Sequence, residues 1–186
     1  EEDSQIRWDS VAPQRAEVTT VLQPLPECVN GVLELFGTYE LTNYTYRPSC
    51  RIAAKGALLL LRKYTALRFL GGVVFQGDLE IRGPAGTDND GSCLVVTGNF
   101  TILAGNLSFH RCRNGAATST MGGGLHVKGN MDLLDGLLRF TDCYACNVAW
   151  KEEKGEGGAF LVEGAYRQRG GTLEAVNCWT SRYAGA

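Results

Sequence analysis

Residues 91–112 read GSCLVVTGNFTILAGNLSFHRC, residues 122–143 read GGGLHVKGNMDLLDGLLRFTDC, and residues 157–178 read GGAFLVEGAYRQRGGTLEAVNC. The three stretches align without a gap. Gly105, Gly136 and Gly171 coincide, Phe109 and Phe140 coincide with Ala175, and Cys112, Cys143 and Cys178 close the blocks. Apolar residues recur at every second position on both sides of a central glycine. That period marks short strands with one buried face, joined where a Cβ would be costly.

Working outward, the same pattern appears around six glycines, Gly37, Gly56, Gly77, Gly98, Gly129 and Gly164, each with apolar residues two and four before it and two and usually four after it. The set runs from Leu33, Leu35, Tyr39 and Leu41 around Gly37, through Ile52, Ala54, Leu58 and Leu60 around Gly56, to Phe160, Val162 and Tyr166 around Gly164, where Gln168 breaks the apolar rule. These glycines lie 19, 21, 21, 31 and 35 residues apart, the period of a unit that stacks on its neighbours. The spacing predicts an all-β fold, a parallel β-helix (β-solenoid) of about six coils over residues 30–186. Insertions accumulate only at 113–121 and 144–156, the expected variable loops. Ala57 to Leu70 also suits an amphipathic helix, with Leu60, Tyr64 and Leu67 at helical spacing, but the match of Ala54-Lys-Gly-Ala-Leu to Val127-Lys-Gly-Asn-Met favours strands.

Residues 1–29 carry none of this pattern and are expected to cap the first coil, with Trp8, Val18 and Leu22 as plugs. At the other end Ala184-Gly185-Ala186 stands where a further Gly-Gly-Ala would begin. Phe160, Val162, Tyr166 and Leu173 are therefore expected to form an open edge, to be covered by more chain or by another molecule.

Twenty-four glycines with 44% hydrophobic residues in 186 fit one turn-rich globular domain rather than a disordered chain. With 18 basic and 20 acidic residues in no long run of either sign, nucleic-acid binding has no electrostatic source. The longest apolar run, Ala57 to Leu61, is far short of the roughly 20 residues of a spanning helix, so the chain is not expected to be transmembrane itself. The acidic start without methionine suggests a processed end or simply a chosen start, and the sequons at Asn43, Asn99 and Asn106 would permit glycosylation. These point outside the cytosol, to a secreted, cell-surface or organelle-lumen location.

The Gly-Gly-Ala-Phe-Leu-Val of 157–162 and the Phe-His-Arg-Cys and Phe-Thr-Asp-Cys of 109–112 and 140–143 resemble the GGA(I/L/V) and FxxN repeats of polymorphic outer membrane proteins. The resemblance covers 91–186 well and 30–90 loosely, with cysteine in place of the family's asparagine. It implies a right-handed parallel β-helix, in a family of adhesins and surface passengers.

Candidate chemistry is sparse. Cys112, Cys143 and Cys178 share one position and are expected to stack as a buried thiol ladder, about 4.8 Å apart. Cys143 and Cys146 form a lone C-x-x-C without the second pair that zinc needs, and Cys28 with Cys50 could staple the cap to the first coil. Asp88, Asn89 and Asp90 lack the closing glutamate of a calcium loop. His110 and His126 are expected to face solvent. The outward position three after each glycine is held by Glu40, Leu59, Glu80, Thr101, Asp132 and Arg167, which would place Glu80 and Asp132 two coils apart, about 10 Å, as the best acid–base pair for a polysaccharide lyase or hydrolase.

No cofactor, metal or catalytic residue is expected. The function read from the sequence is a non-catalytic scaffold docking a partner protein or glycan, with Tyr144, Val148 and Trp150 as candidate contacts. The alternatives are an accessory subunit on the lumenal or outer side of a membrane assembly, and the glycan-cleaving enzyme.

Overall fold

A computed structural model of the chain describes residues 23–41, 44–62, 65–84, 92–114, 120–145 and 155–180. Every element among the described residues is a strand. The first seven are β1 (Val32–Leu41), β2 (Tyr44–Tyr46), β3 (Cys50–Leu61), β4 (Leu67–Phe69), β5 (Val73–Arg82), β6 (Leu94–Val96) and β7 (Phe100–His110). Next come β8 (Arg113–Asn114), β9 (Thr120–Met121), β10 (Leu125–Val127), β11 (Met131–Leu133), β12 (Leu137–Thr141) and β13 (Tyr144–Ala145). The last are β14 (Gly155–Glu156), β15 (Phe160–Val162), β16 (Tyr166–Gln168), β17 (Thr172–Val176) and β18 (Trp179–Thr180).

These strands pair only in parallel, each with its counterpart one rung along the chain. The long sheet runs β1-β3-β5-β7-β11-β16, with β7-β12-β17 continuing beside it; a short sheet runs β2-β4-β6-β10-β15; and β8-β13-β18 and β9-β14 complete the sides. Parallel in-register pairing stacks like positions on like. Phe109 and Phe140 are such a pair, with ring centroids 5.0 Å apart and nearly parallel faces, and Phe160 of the short sheet stacks on Phe140 at 5.4 Å. The core is a single file of such columns, from Leu33 and Leu35 at one end to Leu138 and Phe140 near the other. The stretch from Ala57 is strand as far as Leu61, so the helical alternative fails because its apolar residues alternate inward along β3.

Ahead of β1, Gln23 bridges to Tyr39 and Leu25 is buried, while the Tyr46 hydroxyl donates to the Pro26 carbonyl. The Cys28–Cys50 disulfide ties this segment to β3, the staple the sequence suggested. Trp8, Val18 and Leu22 lie outside the described residues.

The single glycine column of the sequence reading resolves into two. Val73 pairs with Phe100 and Gly77 with Gly105, so the bend of β5 stacks on the second glycine of the later rungs, not on Gly98. Gly105, Gly136 and Gly171 continue that column, while Gly98, Gly129 and Gly164 stack separately on Gly72. The reason is one residue. β7 carries an additional Leu103 between Ile102 and Ala104, opposite the Phe75/Gln76 step of β5, and this insertion spoils the two-and-four spacing before Gly105. A second shift, between Lys55 and Ala57, inverts the faces after Gly56. Ala57, Leu59 and Leu61 are therefore buried in β3, where the sequence pattern had placed Leu58 and Leu60 inward and Leu59 outward.

The turn beside Gly98 and Gly129 carries a side-chain ladder. Asn99 Oδ1 accepts the Asn130 N–H and Asn130 Oδ1 accepts the Ala165 N–H, both at 2.9 Å. An asparagine ladder thus runs along this turn, away from Cys112 and Cys143 at the ends of the aligned blocks. Asn130→Ala removes the acceptor for Ala165 and is expected to cost about 1 kcal/mol in urea denaturation, the usual worth of one backbone-capping bond.

Candidate functional site

The last rung continues the register of the one below it. Phe160 pairs with Leu125, Val162 with Val127, Tyr166 with Met131, Leu173 with Leu138 and Ala175 with Phe140. The five lower residues are fully buried. Phe160, Val162, Tyr166 and Leu173 are only half-buried, although they point the same way. Beside them Val176 and Trp179 are 49% and 52% exposed. The same side-chain positions that make core one rung earlier make surface here, because among the described residues no strand pairs beyond β15, β16, β17 or β18.

Among the described residues these are edge strands, which carry a row of outward N–H and C=O groups beside an apolar strip. Polar groups on the strip satisfy one another: the Tyr166 hydroxyl donates to Gln168 Oε1, and Gln168 Nε2 donates to the Gly171 carbonyl, each at 3.1 Å. Partial burial pushes the Tyr166 phenol up from its ordinary range, so it stays a neutral donor. Phe160, Val162, Tyr166 and Leu173, expected from the sequence at an open edge, all pack half-buried against the core in the last described rung. That their equivalents are core residues was the legible signal.

Tyr144 stands elsewhere. Its ring stacks on Trp179 at 4.8 Å, and the Arg113 guanidinium lies over it 5.0 Å from the ring centre. This is a column on β8-β13-β18, and Trp179 extends it to the open end. Val148 and Trp150 lie outside the described residues.

The proposed carboxylate pair is not assembled. Asp132 pairs with Thr101 and Arg167, whereas Glu80 pairs with Leu58 and Ser108 in a different column, continued by Arg139 and Glu174. The displaced glycine register separates them. Each carboxylate has its own cation: Arg82 beside Glu80, and Arg167 4.0 Å from Asp132. Glu40, a third member of that supposed column, is held below the usual carboxylate range by its hydrogen bond to Arg62.

His126 does not face solvent as expected. It keeps 8% of its exposure, as does Val95 beside it, and its Nε2 lies 2.8 Å from Glu163 Oε1 of the next rung. His110 is half-buried at the end of β7.

The expected thiol ladder is broken at its first member, because Cys112 is bonded to Cys93 and closes its own rung. Cys143 and Cys178 remain thiols. Cys146, and with it the C-x-x-C, lies outside the described residues, as do Asp88, Asn89, Asp90 and Asn43. Sequence reasoning missed the Cys93–Cys112 bond; its only signal was that Cys93 stands near the start, and Cys112 at the end, of the same aligned block. Among the described residues no cluster of three or more His, Cys, Asp or Glu could hold a metal, and no helix is long and apolar enough to cross a membrane.

At the opposite end, β1 is the terminal strand of the long sheet. Pro24, Pro26, Val29, Val32, Phe36 and Tyr39 line a groove of about 490 Å³ there, on which Val29 and Phe36 are exposed. Comparison with protein-family models, with curated proteins and with solved structures finds no match.

Proposed function

We propose that this chain is a right-handed parallel β-helix of about six coils, resembling the repeats of polymorphic outer membrane proteins, and that it serves as a non-catalytic docking scaffold. Its partner is a protein that adds a strand to the open rung of β15, β16, β17 and β18. One observation carries this reading: Phe160, Val162, Tyr166 and Leu173 hold registers whose occupants one rung earlier are fully buried, yet are themselves half-exposed. An apolar strip flanked by unpaired backbone groups suits strand addition, in which the main chain supplies affinity and alternate side chains supply specificity. A glycan would meet few directed polar groups there. Right-handed winding follows from the strong preference of parallel crossovers. The Cys28–Cys50 and Cys93–Cys112 bonds favour an oxidising compartment outside the cytosol, where an accessory subunit of a membrane assembly would use the same face.

Hydrogen exchange on the isolated chain, with its sedimentation, tests the proposal. The amides of 160–176 are expected to exchange faster than those of 94–109, or the chain is expected to self-associate through this end, with Val176→Lys abolishing the association. A monomer in which both stretches are equally protected would show that the edge needs no cover and would overturn the reading.

A further inference from the structure

β8, β13 and β18 pair with Tyr144 opposite both Arg113 and Trp179, so the residue preceding each occupies one shared position. Those residues are Cys112, Cys143 and Cys178. Backbone hydrogen bonds hold the register: the Tyr144 N–H donates to the Cys112 carbonyl at 3.0 Å, and the Trp179 N–H to the Cys143 carbonyl at 3.2 Å. Paired strands lie about 4.8 Å apart, inside the Cα separation of about 4.4–6.8 Å that a disulfide spans.

The three sulfurs differ in state. Cys112 is already bonded to Cys93, Cys143 is a fully buried thiol, and Cys178 is a half-buried thiol in the open rung. Cys143 Sγ lies 3.5 Å from the Thr141 carbonyl oxygen and 3.8 Å from that of Phe109, while Cys178 Sγ lies 3.4 Å from the Val176 carbonyl oxygen. A hydrogen bond from Cys143 holds the Cys178 thiol at about 7, below its ordinary range. The same bond, reinforced by burial, pushes Cys143 up. Of the two thiols Cys178, the one solvent reaches, is therefore the more readily ionised, and the thiolate is the nucleophile in disulfide exchange.

We propose that Cys143 and Cys178 are a redox pair that closes into a disulfide by exchange with a small-molecule disulfide, stapling the last rung to the stack. The Cys178 thiolate attacks one sulfur of RSSR, forming a Cys178–SR mixed disulfide and expelling RS⁻, which takes up the proton Cys178 released. Cys143 then gives up its proton and attacks Cys178 Sγ, forming the Cys143–Cys178 bond and expelling the second RS⁻, which is protonated in turn. Two protein thiols are oxidised and one external disulfide is reduced to two thiols. Side chains in a parallel ladder project the same way, so Cys178 must rotate toward Cys143. Its place in the half-exposed rung leaves room for that rotation, which the fully buried Cys143 lacks toward the rung below.

The full chain is incubated with oxidised glutathione, acid-quenched, alkylated and mapped by mass spectrometry of non-reduced peptides. Free thiols are expected to fall by two per chain, with a peptide pair linked through Cys143 and Cys178. Cys146→Ser is expected to leave that link intact, and Cys178→Ser to abolish it with Cys143 still a thiol. Amide exchange across 160–179 is expected to slow by about tenfold or more in the oxidised form, as a new cross-link in this rung requires. Glutathione retained on Cys178 beside an unreacted Cys143, a link from Cys143 to Cys146, or no loss of thiols would each overturn the proposal. Wild-type mapping alone separates these results if a variant does not fold.

Discussion

Gly77→Ala is expected to destabilise the chain by about 4 kcal/mol or more, enough to prevent folding in a domain of ordinary stability. Gly77 has φ +105°, and an added Cβ would lie 1.9 Å from the Ala54 carbonyl oxygen of the neighbouring strand. A backbone oxygen cannot swing aside as a side chain can. Relief requires parting β3 from β5, which are paired over ten residues of β3. Gly56→Ala is the matched control: it has φ +63° but nothing within 4 Å of the added atom. There only the left-handed backbone penalty applies, about 1–2 kcal/mol. Urea denaturation followed by far-ultraviolet circular dichroism compares the two. Equal losses would mean that the strand pair yields without cost and that the close approach is not what holds the bend.

Phe140→Ala is expected to cost about 3–5 kcal/mol, the range for emptying a buried aromatic site. Phe140 is fully buried between Phe109 at 5.0 Å and Phe160 at 5.4 Å, and its ring fills the space beside Gly124. Neighbouring rungs are held apart by their own backbone pairing, so the cavity cannot collapse. Phe160→Ala, in the last rung and stacked on Phe140 from the short sheet, is expected to cost less than half as much, because Phe160 is half-buried and has a stacked neighbour on one side only. That difference measures how far the open rung falls short of core. With the proposed partner bound, the cost of Phe160→Ala should approach that of Phe140→Ala, so the pair of variants reports both stability and docking.

The ungapped alignment of 91–112, 122–143 and 157–178 was legible because pairing in parallel repeats one register. Leu94, Leu125 and Phe160 pair in a row, as do Phe100, Met131 and Tyr166, and Phe109, Phe140 and Ala175, all of them equivalent in the alignment. The apolar character of Phe160, Val162, Tyr166 and Leu173 was legible for the same reason, since their equivalents one rung earlier are core. By itself, then, the sequence determined the strand content, the parallel direction and the inner faces of the last three rungs.

The early register was decided only in three dimensions. A period of two carries no mark of a single inserted residue, yet Leu103 moves the bend onto Gly105, and the shift at Gly56 exchanges Leu58 and Leu60 for Leu59 and Leu61 as core. From that displacement follows the separation of Glu80 from Asp132, two carboxylates that share a column only if every glycine is equivalent. The Cys93–Cys112 bond and the burial of His126 against Glu163 join residues across a rung or between rungs. Such contacts depend on how the chain turns between strands, where spacing along the sequence no longer measures distance, and tertiary structure alone decided them.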